Sequence, residues 1–535
     1  MKTKHLLLGD EALALGALHA GLSGVWAYPG TPSTEITEFI QKSEIARAGN
    51  VHCLWSANEK TAMEEALGMS YAGKRAMVCM KHVGMNVCAD AFVNSAVTGA
   101  NGGLVVVACD DPSMHSSQNE QDSRFYADFA MMPCFEPASQ QEAYDMVQRA
   151  FDYSEKNCIP VLMRLTTRMA HSRAIVETSE QRQQNEIHFP KNPCQWVTLP
   201  VNARMRNDQL VKDVLAFEDD ACTMGQNKYI DGKDHSMGII TCGIAYNYLM
   251  ENYPDGCPFP VLKITQYPLP KEMVRHMAQE CESIMVVEEG QPLVEKLMRG
   301  VLDTPVKIKG RLDGTLPRTG ELNPDCVRAA LGLEPLEAHT AAQNTVPRPP
   351  ALCQGCGHRD FYTALNNVLK KYESARVFAD IGCYTLGWLA PFHAFHTCVE
   401  MGASLTMAIG ASQSGVHPAV AVIGDSTFTH SGMTGLLDAV NKKSNLTLCI
   451  SDNLTTGMTG GQDSAGTGRL EQICYGLGVD PAHVRVIVPL PKNYPDMEKT
   501  IDEELYYNGV SVIIARRECI QTAKRHAKAK ANAKK

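Results

Sequence analysis

Two continuous apolar runs constrain the fold of this 535-residue chain more than any other feature. Ala419-Val420-Ala421-Val422-Ile423 breaks off into Gly424-Asp425-Ser426, and Leu446-Thr447-Leu448-Cys449-Ile450 breaks off into Ser451-Asp452-Asn453-Leu454-Thr455. A strand that is apolar on both faces is covered on both faces, the condition of a parallel sheet flanked by helices. Between the two runs, Gly432 to Val440 carries a helical pattern, and crossovers of this kind are right-handed. Both polar ends therefore fall on one edge of the sheet. That carboxyl edge is where open α/β sheets bind ligands.

At this edge Asp425 and Asn453 offer hard oxygens to one Mg²⁺, with the backbone carbonyl of Thr455 as a third donor. Such an ion completes its shell with phosphate and water. The next loop, Thr456-Gly457-Met458-Thr459-Gly460-Gly461-Gln462, has the glycines and hydroxyls that let a backbone approach a diphosphate. An Asp after a strand is also an ordinary helix cap. The matched second strand turns the reading toward a metal.

The same alternation of short apolar strands and helical patterns recurs upstream. Strands are expected at Ala76 to Met80, Gly103 to Cys109, Ile159 to Leu165, Gly238 to Gly243 and Ile284 to Val287, and Ser139 with Glu142 forms a capping box before a helix. Two stretches read as linkers: the polar, aperiodic Ser179 to Glu186, and the proline run Val346-Pro347-Arg348-Pro349-Pro350. They divide the chain into 1–185, 186–345 and 346–523, followed by a basic tail, 524–535. The expected fold class is α/β, three α/β domains in series. The length alone asks for more than one core.

Charge and hydropathy exclude several functions. A net charge of -9 and a pI near 6.0 argue against a nucleic-acid surface. The N-terminal apolar run is interrupted by Asp10 and Glu11, and no stretch is long enough to span a membrane, so a cytoplasmic protein is expected. The tail from Lys524 holds six Lys or Arg and no acid, and reads as a solvated terminus.

Three further segments carry candidate chemistry. Asn58-Glu59 opens a helical pattern, where an acid is ordinary, and Glu64 and Glu65 compete with Glu59 for any special role. Tyr28-Pro29-Gly30-Thr31-Pro32-Ser33-Thr34-Glu35 is turn chemistry leading into a helix. Of the 19 cysteines, most sit like Cys109 and Cys449 in apolar strands as packing, but Cys353-Gln354-Gly355-Cys356 has ligand spacing. Alone it has three readings, a redox dithiol, half a zinc site or part of an iron–sulfur site; the lack of a second C-x-x-C weakens zinc, and it does not sit where a thioredoxin-like strand-to-helix turn would put it.

Gly424-Asp425 with Asn453 on the following strand resembles the thiamine diphosphate signature, from which Ser426 departs where Gly is usual. The Tyr-Pro-x-Thr-Pro segment and Cys353-Gln354-Gly355-Cys356-Gly357 resemble 2-oxo acid:ferredoxin oxidoreductases. The segments Lys81 to Asn86, Asp110 to Asp122 and Gly424 to Phe428 are similar to the large (alpha) subunit of the indolepyruvate ferredoxin oxidoreductases, and that likeness accounts for Ser426.

The resemblance implies that 1–185 and 346–523 are thiamine diphosphate-binding folds, for the pyrimidine and the diphosphate, with a transketolase C-terminal-like domain between. It implies cofactor contacts from Glu59, Gly382, Gly424, Asp425, Ser426, Asn453 and Thr455, with Glu59 on the aminopyrimidine. It also implies a substrate carboxylate held by Thr31. No Lys or Arg lies between Gly84 and Asp110, which leaves Thr31, Lys81 and His82 as candidates for that contact.

A [4Fe–4S] cluster is implied on Cys353, Cys356, Cys383 and Cys519, with Cys398 and Cys474 as substitutes for the fourth ligand. The implied reaction is oxidative decarboxylation of an aryl 2-oxo acid to its acyl-coenzyme A, electrons passing to ferredoxin. A small (beta) subunit and a dimer of heterodimers are implied as partners. The ferredoxin-like module common in that family is expected to be absent. The alternatives are a non-oxidative thiamine diphosphate decarboxylase and a non-catalytic scaffold.

Overall fold

The computed structural model describes residues 3–190, 196–302, 305–336, 344–346 and 348–533. Pro347 of the proline run, residues 337–343 beside the expected 345/346 boundary, and the last two lysines of the tail lie outside them. The chain forms two compact units, Met1–Thr340 and Ala341–Lys535.

The first unit holds a seven-stranded sheet in the order Gln266–Tyr267, Cys134–Phe135, Val161–Thr166, Leu104–Asp110, Ala76–Lys81, Gly24–Ala27 and His52–Trp55. Every pairing is parallel except that of Gln266–Tyr267 on Cys134–Phe135. The central strands are buried throughout, as their unbroken apolar runs require. Helix Gln140–Asn157 is capped by Ser139 Oγ, which accepts from Glu142 N at 3.2 Å, while Glu142 Oε2 accepts from Ala138 N at 2.8 Å.

A five-stranded sheet follows, in the order Lys307–Lys309, Ser283–Val287, Gly238–Cys242, Val261–Ile264 and Lys228–Ile230, the last antiparallel. One hydrophobic core runs through both sheets. The segment read as a polar linker, Ser179 to Glu186, has no helix or strand and is tied down by its own side chains. Gln184 Nε2 donates to Gly49 O at 2.7 Å, and Asn185 Nδ2 to Glu155 Oε1 at 2.7 Å.

A buried ionic network joins the two sheets. Arg164 Nε lies 2.6 Å from Asp110 Oδ2, its Nη1 pairs with Glu136, and its Nη2 donates to Glu289 O at 2.9 Å. Arg124 bridges Asp122 at 2.5 Å and Glu288 at 3.0 Å, and Arg311 donates to Glu288 O at 3.1 Å. Gly290 takes φ +94°, and a Cβ there would come within 2.7 Å of Arg164 Nη2, so glycine is required on both counts.

The second unit is a six-stranded, wholly parallel sheet in the order Thr397–Cys398, Arg376–Ala379, Ala419–Gly424, Leu446–Asp452, Val510–Arg516 and Val484–Ile487. Numbered along its own chain, this order is 2-1-3-4-6-5, and the six parallel strands of the first sheet have the same order. The crossover expected from Gly432 begins earlier: helix Asp425–Thr427 runs through a π-turn, Phe428–Gly432, into Met433–Asn441. Such π-turns concentrate at functional sites. The basic tail is helical over Ile520–Ala533. Among the described residues, no helix is long and apolar enough to cross a membrane.

Removing one side of a buried ion pair strands the other as an uncompensated charge, which costs about 3–5 kcal/mol. Arg164→Met is expected to lower unfolding free energy by about that amount in chemical denaturation. A loss below about 1 kcal/mol, the value of a surface pair, would show that the network does not hold the two sheets together.

Candidate active site

In the first unit the candidate residues follow consecutive parallel strands. Asn58 caps helix Glu59–Tyr71, its side chain accepting from Thr61 N at 2.9 Å, and this buries Glu59 in the first turn. Glu64 and Glu65 are exposed, Glu64 beside Lys60 and Glu65 accepting from Ser56 Oγ. Glu59 is thus the buried member of the three. A Cβ at Gly84 would fall 2.6 Å from Glu59 Cγ and 2.8 Å from Oε1, so the glycine makes room for this carboxyl against the next helix.

The Pro-Gly turn folds on itself, with Ser33 Oγ donating to Gly30 O at 2.7 Å and Gly30 N to Thr34 Oγ1 at 3.0 Å. It rests on Lys81, whose Cβ would lie 3.0 Å from a Cβ at Gly30, and this places the half-buried Thr31 beside that lysine's strand end. Lys81 Nζ donates to Ser116 O at 2.8 Å. Burial pushes Lys81 down to about 8, with the charge of Asp111 opposing. His82, next along, is buried; its Nε2 lies 3.3 Å from Asn119 Oδ1 while Nδ1 has no hydrogen-bond partner. Ser116 and Asn119 lie in the Asp110 to Asp122 segment that carries the resemblance, but that segment does not say what they touch. Small polar residues in a loop give no signal of what they will touch.

In the second unit Asp425 closes strand Ala419–Gly424 and is 2% exposed. Its Oδ2 is buried with no hydrogen-bond partner, and burial, then the charge of Asp452, pushes its pKa up to about 7. Asp452 itself is already paired, 2.6 Å from Arg516 Nε. Asn453 Oδ1 accepts from Thr455 N at 3.1 Å, and Leu454 between them takes φ +61°, a left-handed conformation that costs a branched side chain about 1–3 kcal/mol. Ser426 Oγ lies 3.0 Å from Thr456 Oγ1, which ties the two strand ends together. An unpartnered buried carboxylate oxygen beside an amide and a strained backbone fits a divalent cation.

Gly382 and Gly424 share one neighbour, the buried ring of Tyr384, which a Cβ would approach to 2.4 Å and 2.7 Å respectively. Next to it, Cys383 is pushed up to about 12 by burial, then by the charges of Cys356, Cys519, Cys353 and Asp425. Those neighbours are the other three cysteines of the expected set and the proposed metal ligand. A Cβ at Gly457 would meet Asn453 Nδ2 at 3.3 Å and Cys383 Sγ at 3.4 Å, and Cys519 N donates to Asn453 O at 3.1 Å. Gly355, at φ +78°, makes the turn between Cys353 and Cys356. The two substitutes lie elsewhere: Cys398 Sγ points at Asp380 O at 3.4 Å, and Cys474 is packed in a hydrophobic core. Asp380, not singled out in the sequence, accepts from Ser404 N and Oγ at 2.5 and 2.6 Å and anchors the next helix.

The family described as "Pyruvate flavodoxin/ferredoxin oxidoreductase, thiamine diP-bdg" matches residues 15–213, and "Thiamine pyrophosphate enzyme, C-terminal TPP binding domain" matches 380–515. The indolepyruvate oxidoreductase subunit IorA of Archaeoglobus fulgidus is 38% identical over 96% of this chain and 86% of its own length. That of Pyrococcus horikoshii is 37% identical, again over 96% and 86%. The chain belongs to the indolepyruvate oxidoreductase subunit IorA family. It is a thiamine diphosphate-dependent 2-oxo acid oxidoreductase. A solved 2-oxoglutarate:ferredoxin oxidoreductase from Magnetococcus marinus covers 62% of the chain and 65% of its own at 14% identity, with a TM-score of 0.48.

Two measurements check this geometry. Lys81 carries its charge below about 8 and loses it above, so kcat/KM for a 2-oxo acid is expected to fall about tenfold per pH unit above that value if its ammonium meets the carboxylate. A profile unchanged in Lys81→Met would remove it from the site. Asp425→Ala is expected to weaken Mg²⁺-dependent thiamine diphosphate binding by about 100-fold or more in calorimetry, since even an outer-shell partner is worth about 10–100-fold. Unchanged affinity would count against the metal assignment.

Proposed function

We propose that the chain catalyses the oxidative decarboxylation of an aryl 2-oxo acid, indolepyruvate or phenylpyruvate, to the acyl-coenzyme A, with electrons leaving through a [4Fe–4S] cluster to ferredoxin. The observation that carries this reading is the gathering of Cys353, Cys356, Cys383 and Cys519 beside Asn453 and Asp425 on one sheet edge. A decarboxylase that releases its product without oxidation needs no such thiols. The aryl substrate is supported by the names of the relatives, and their designation as a subunit supports a small partner subunit, here in a dimer of heterodimers. We place the enzyme in the cytoplasm.

Thiamine diphosphate, when bound, supplies the electron sink for decarboxylation, and the cluster a one-electron acceptor beside it. Asp425, Asn453 and the carbonyl of Thr455 would hold Mg²⁺, with Ser426, Gly424 and Gly382 letting the diphosphate come close. Glu59 would hydrogen-bond the aminopyrimidine; its burial in a helix's first turn fixes the direction of that bond. Thr31 and Lys81 would orient the substrate carboxylate, and His82 would hold or move a proton at Nδ1, the nitrogen without a partner. Four thiolates complete a cubane cluster, and each must lose its proton to bind.

The test is iron and sulfide analysis of anaerobically reconstituted protein beside a Cys353→Ser/Cys356→Ser variant, with turnover on a panel of 2-oxo acids in the presence of coenzyme A and the small subunit. About four irons in the wild-type site, lost in the variant along with ferredoxin reduction, are expected. Equal and negligible iron in both would leave the non-oxidative decarboxylase as the better reading.

A further inference from the structure

A second group of ligating side chains lies in the first unit, outside every residue assigned above. Asp10 sits in the first turn of helix Gly9–His19, Glu35 in the first turn of helix Thr34–Lys42, and His171 ends helix Thr167–His171. One ligand atom from each lies within 4.8 Å of the others. Asp10 is fully buried, and neither of its carboxyl oxygens has a hydrogen-bond partner. Glu35 Oε2 is likewise buried without one, and lies 3.6 Å from His171 Nε2, an ion-pair distance beyond hydrogen-bond reach.

Buried carboxyl oxygens are almost always paired, so the unpartnered oxygens of Asp10 and Glu35 beside the His171 ring call for a partner. Among the described residues no Lys or Arg pairs with Asp10. Burial, then Glu35 and Glu11, all push its pKa up. The adjacent Glu11 is engaged elsewhere, accepting from Leu8 N at 2.9 Å and lying 3.8 Å from Arg173 Nη1.

We infer that Asp10, Glu35 and His171 bind a borderline divalent transition metal, Zn²⁺ first among them. Two carboxylates and a neutral imidazole balance the charge of a divalent ion, which lets the buried Asp10 be ionised without a stranded charge. The imidazole selects this class over Mg²⁺ and Ca²⁺, which take oxygen donors, and the absence of thiols from the set excludes Cu(I). Entry is through the half-buried Glu35 and the His171 side chain, which is 35% exposed. An ion here fastens the starts of two helices to the end of a third.

The experiment uses the full chain, anaerobically reconstituted with iron and sulfide and saturated with thiamine diphosphate and Mg²⁺, so that the thiols and the Asp425 site are occupied in every sample. Zn²⁺ is added, excess is removed by gel filtration, and retained zinc is measured by mass spectrometry for wild type, Asp10→Asn and His171→Gln. Wild type is expected to retain about one zinc more than either variant and to show a zinc-dependent rise in Tm that both lack. Equal zinc and equal Tm shifts in all three would overturn the inference and leave Asp10 a protonated buried acid. Asp10→Asn preserves shape, and His171→Gln alters a partly exposed side chain. Should the first fail to fold, the second decides by the same comparison.

Discussion

Parallel pairing with right-handed crossovers is the constraint on which the rest of this molecule depends. A parallel strand cannot return through a hairpin, so each is followed by a helix, and every strand ends on the same edge. In the first unit that edge carries the Thr31 turn, Glu59, Lys81 with His82, and Asp110, after four different strands. In the second it carries Cys383, Asp425, Asn453 and Cys519, again after four strands. The chemistry was collected by topology before any side chain was chosen. Both units use the order 2-1-3-4-6-5, so one arrangement of strands presents acid and lysine on one edge and thiols with a buried carboxylate on the other.

The same edge explains the buried ions. Strand ends in a covered sheet leave polar side chains without water, and Asp110 and Arg164, paired at 2.6 Å, answer each other across neighbouring strands. The network they begin contains three arginines, 124, 164 and 311, and five carboxyls, at 110, 122, 136, 288 and 289. Acids outnumber bases here, and the carboxyls are not equivalent. Burial pushes Glu289 up to about 7 and Asp110 and Glu288 upward, while Arg124 and Arg164 overcome burial at Asp122 and hold it low. Replacing a whole buried network by well-packed hydrophobic residues is often neutral, so the pairs here mark a contact between the sheets rather than a large net gain in stability.

The strands and their polar carboxyl ends were legible because periodicity reports burial. Ala76 to Met80, Ala419 to Ile423 and Leu446 to Ile450 each lie within the strands observed, short by one to two residues at the carboxyl end, where polar ligands begin. What periodicity omits is partnership. Ser179 to Glu186 looks like a linker because it is polar, yet its side chains are spent on the first unit's backbone and acids. The lone Arg164 in Val161-Leu162-Met163-Arg164-Leu165 stands out in an apolar strand, but its partners are three carboxylates, Asp110, Asp122 and Glu136, and the backbone carbonyl of Glu289, all from other segments. The shared strand order left no sequence period, because topology survives when side chains do not.

Burial works against charge at the second unit's edge. Cys383 at about 12 and Asp425 at about 7 are both held toward their protonated forms by burial, Cys383 further by the neighbouring cysteines and Asp425, and Asp425 further by Asp452. Ligands of this kind must shed protons to bind metal, so filling such an edge releases protons and is favoured as pH rises. The edge also sets two kinds of donor side by side. Hard oxygens from Asp425 and Asn453 suit Mg²⁺, soft sulfurs from the four cysteines suit iron, and Gly457 is what lets the two sets stand side by side, its missing Cβ falling 3.3 Å from one and 3.4 Å from the other.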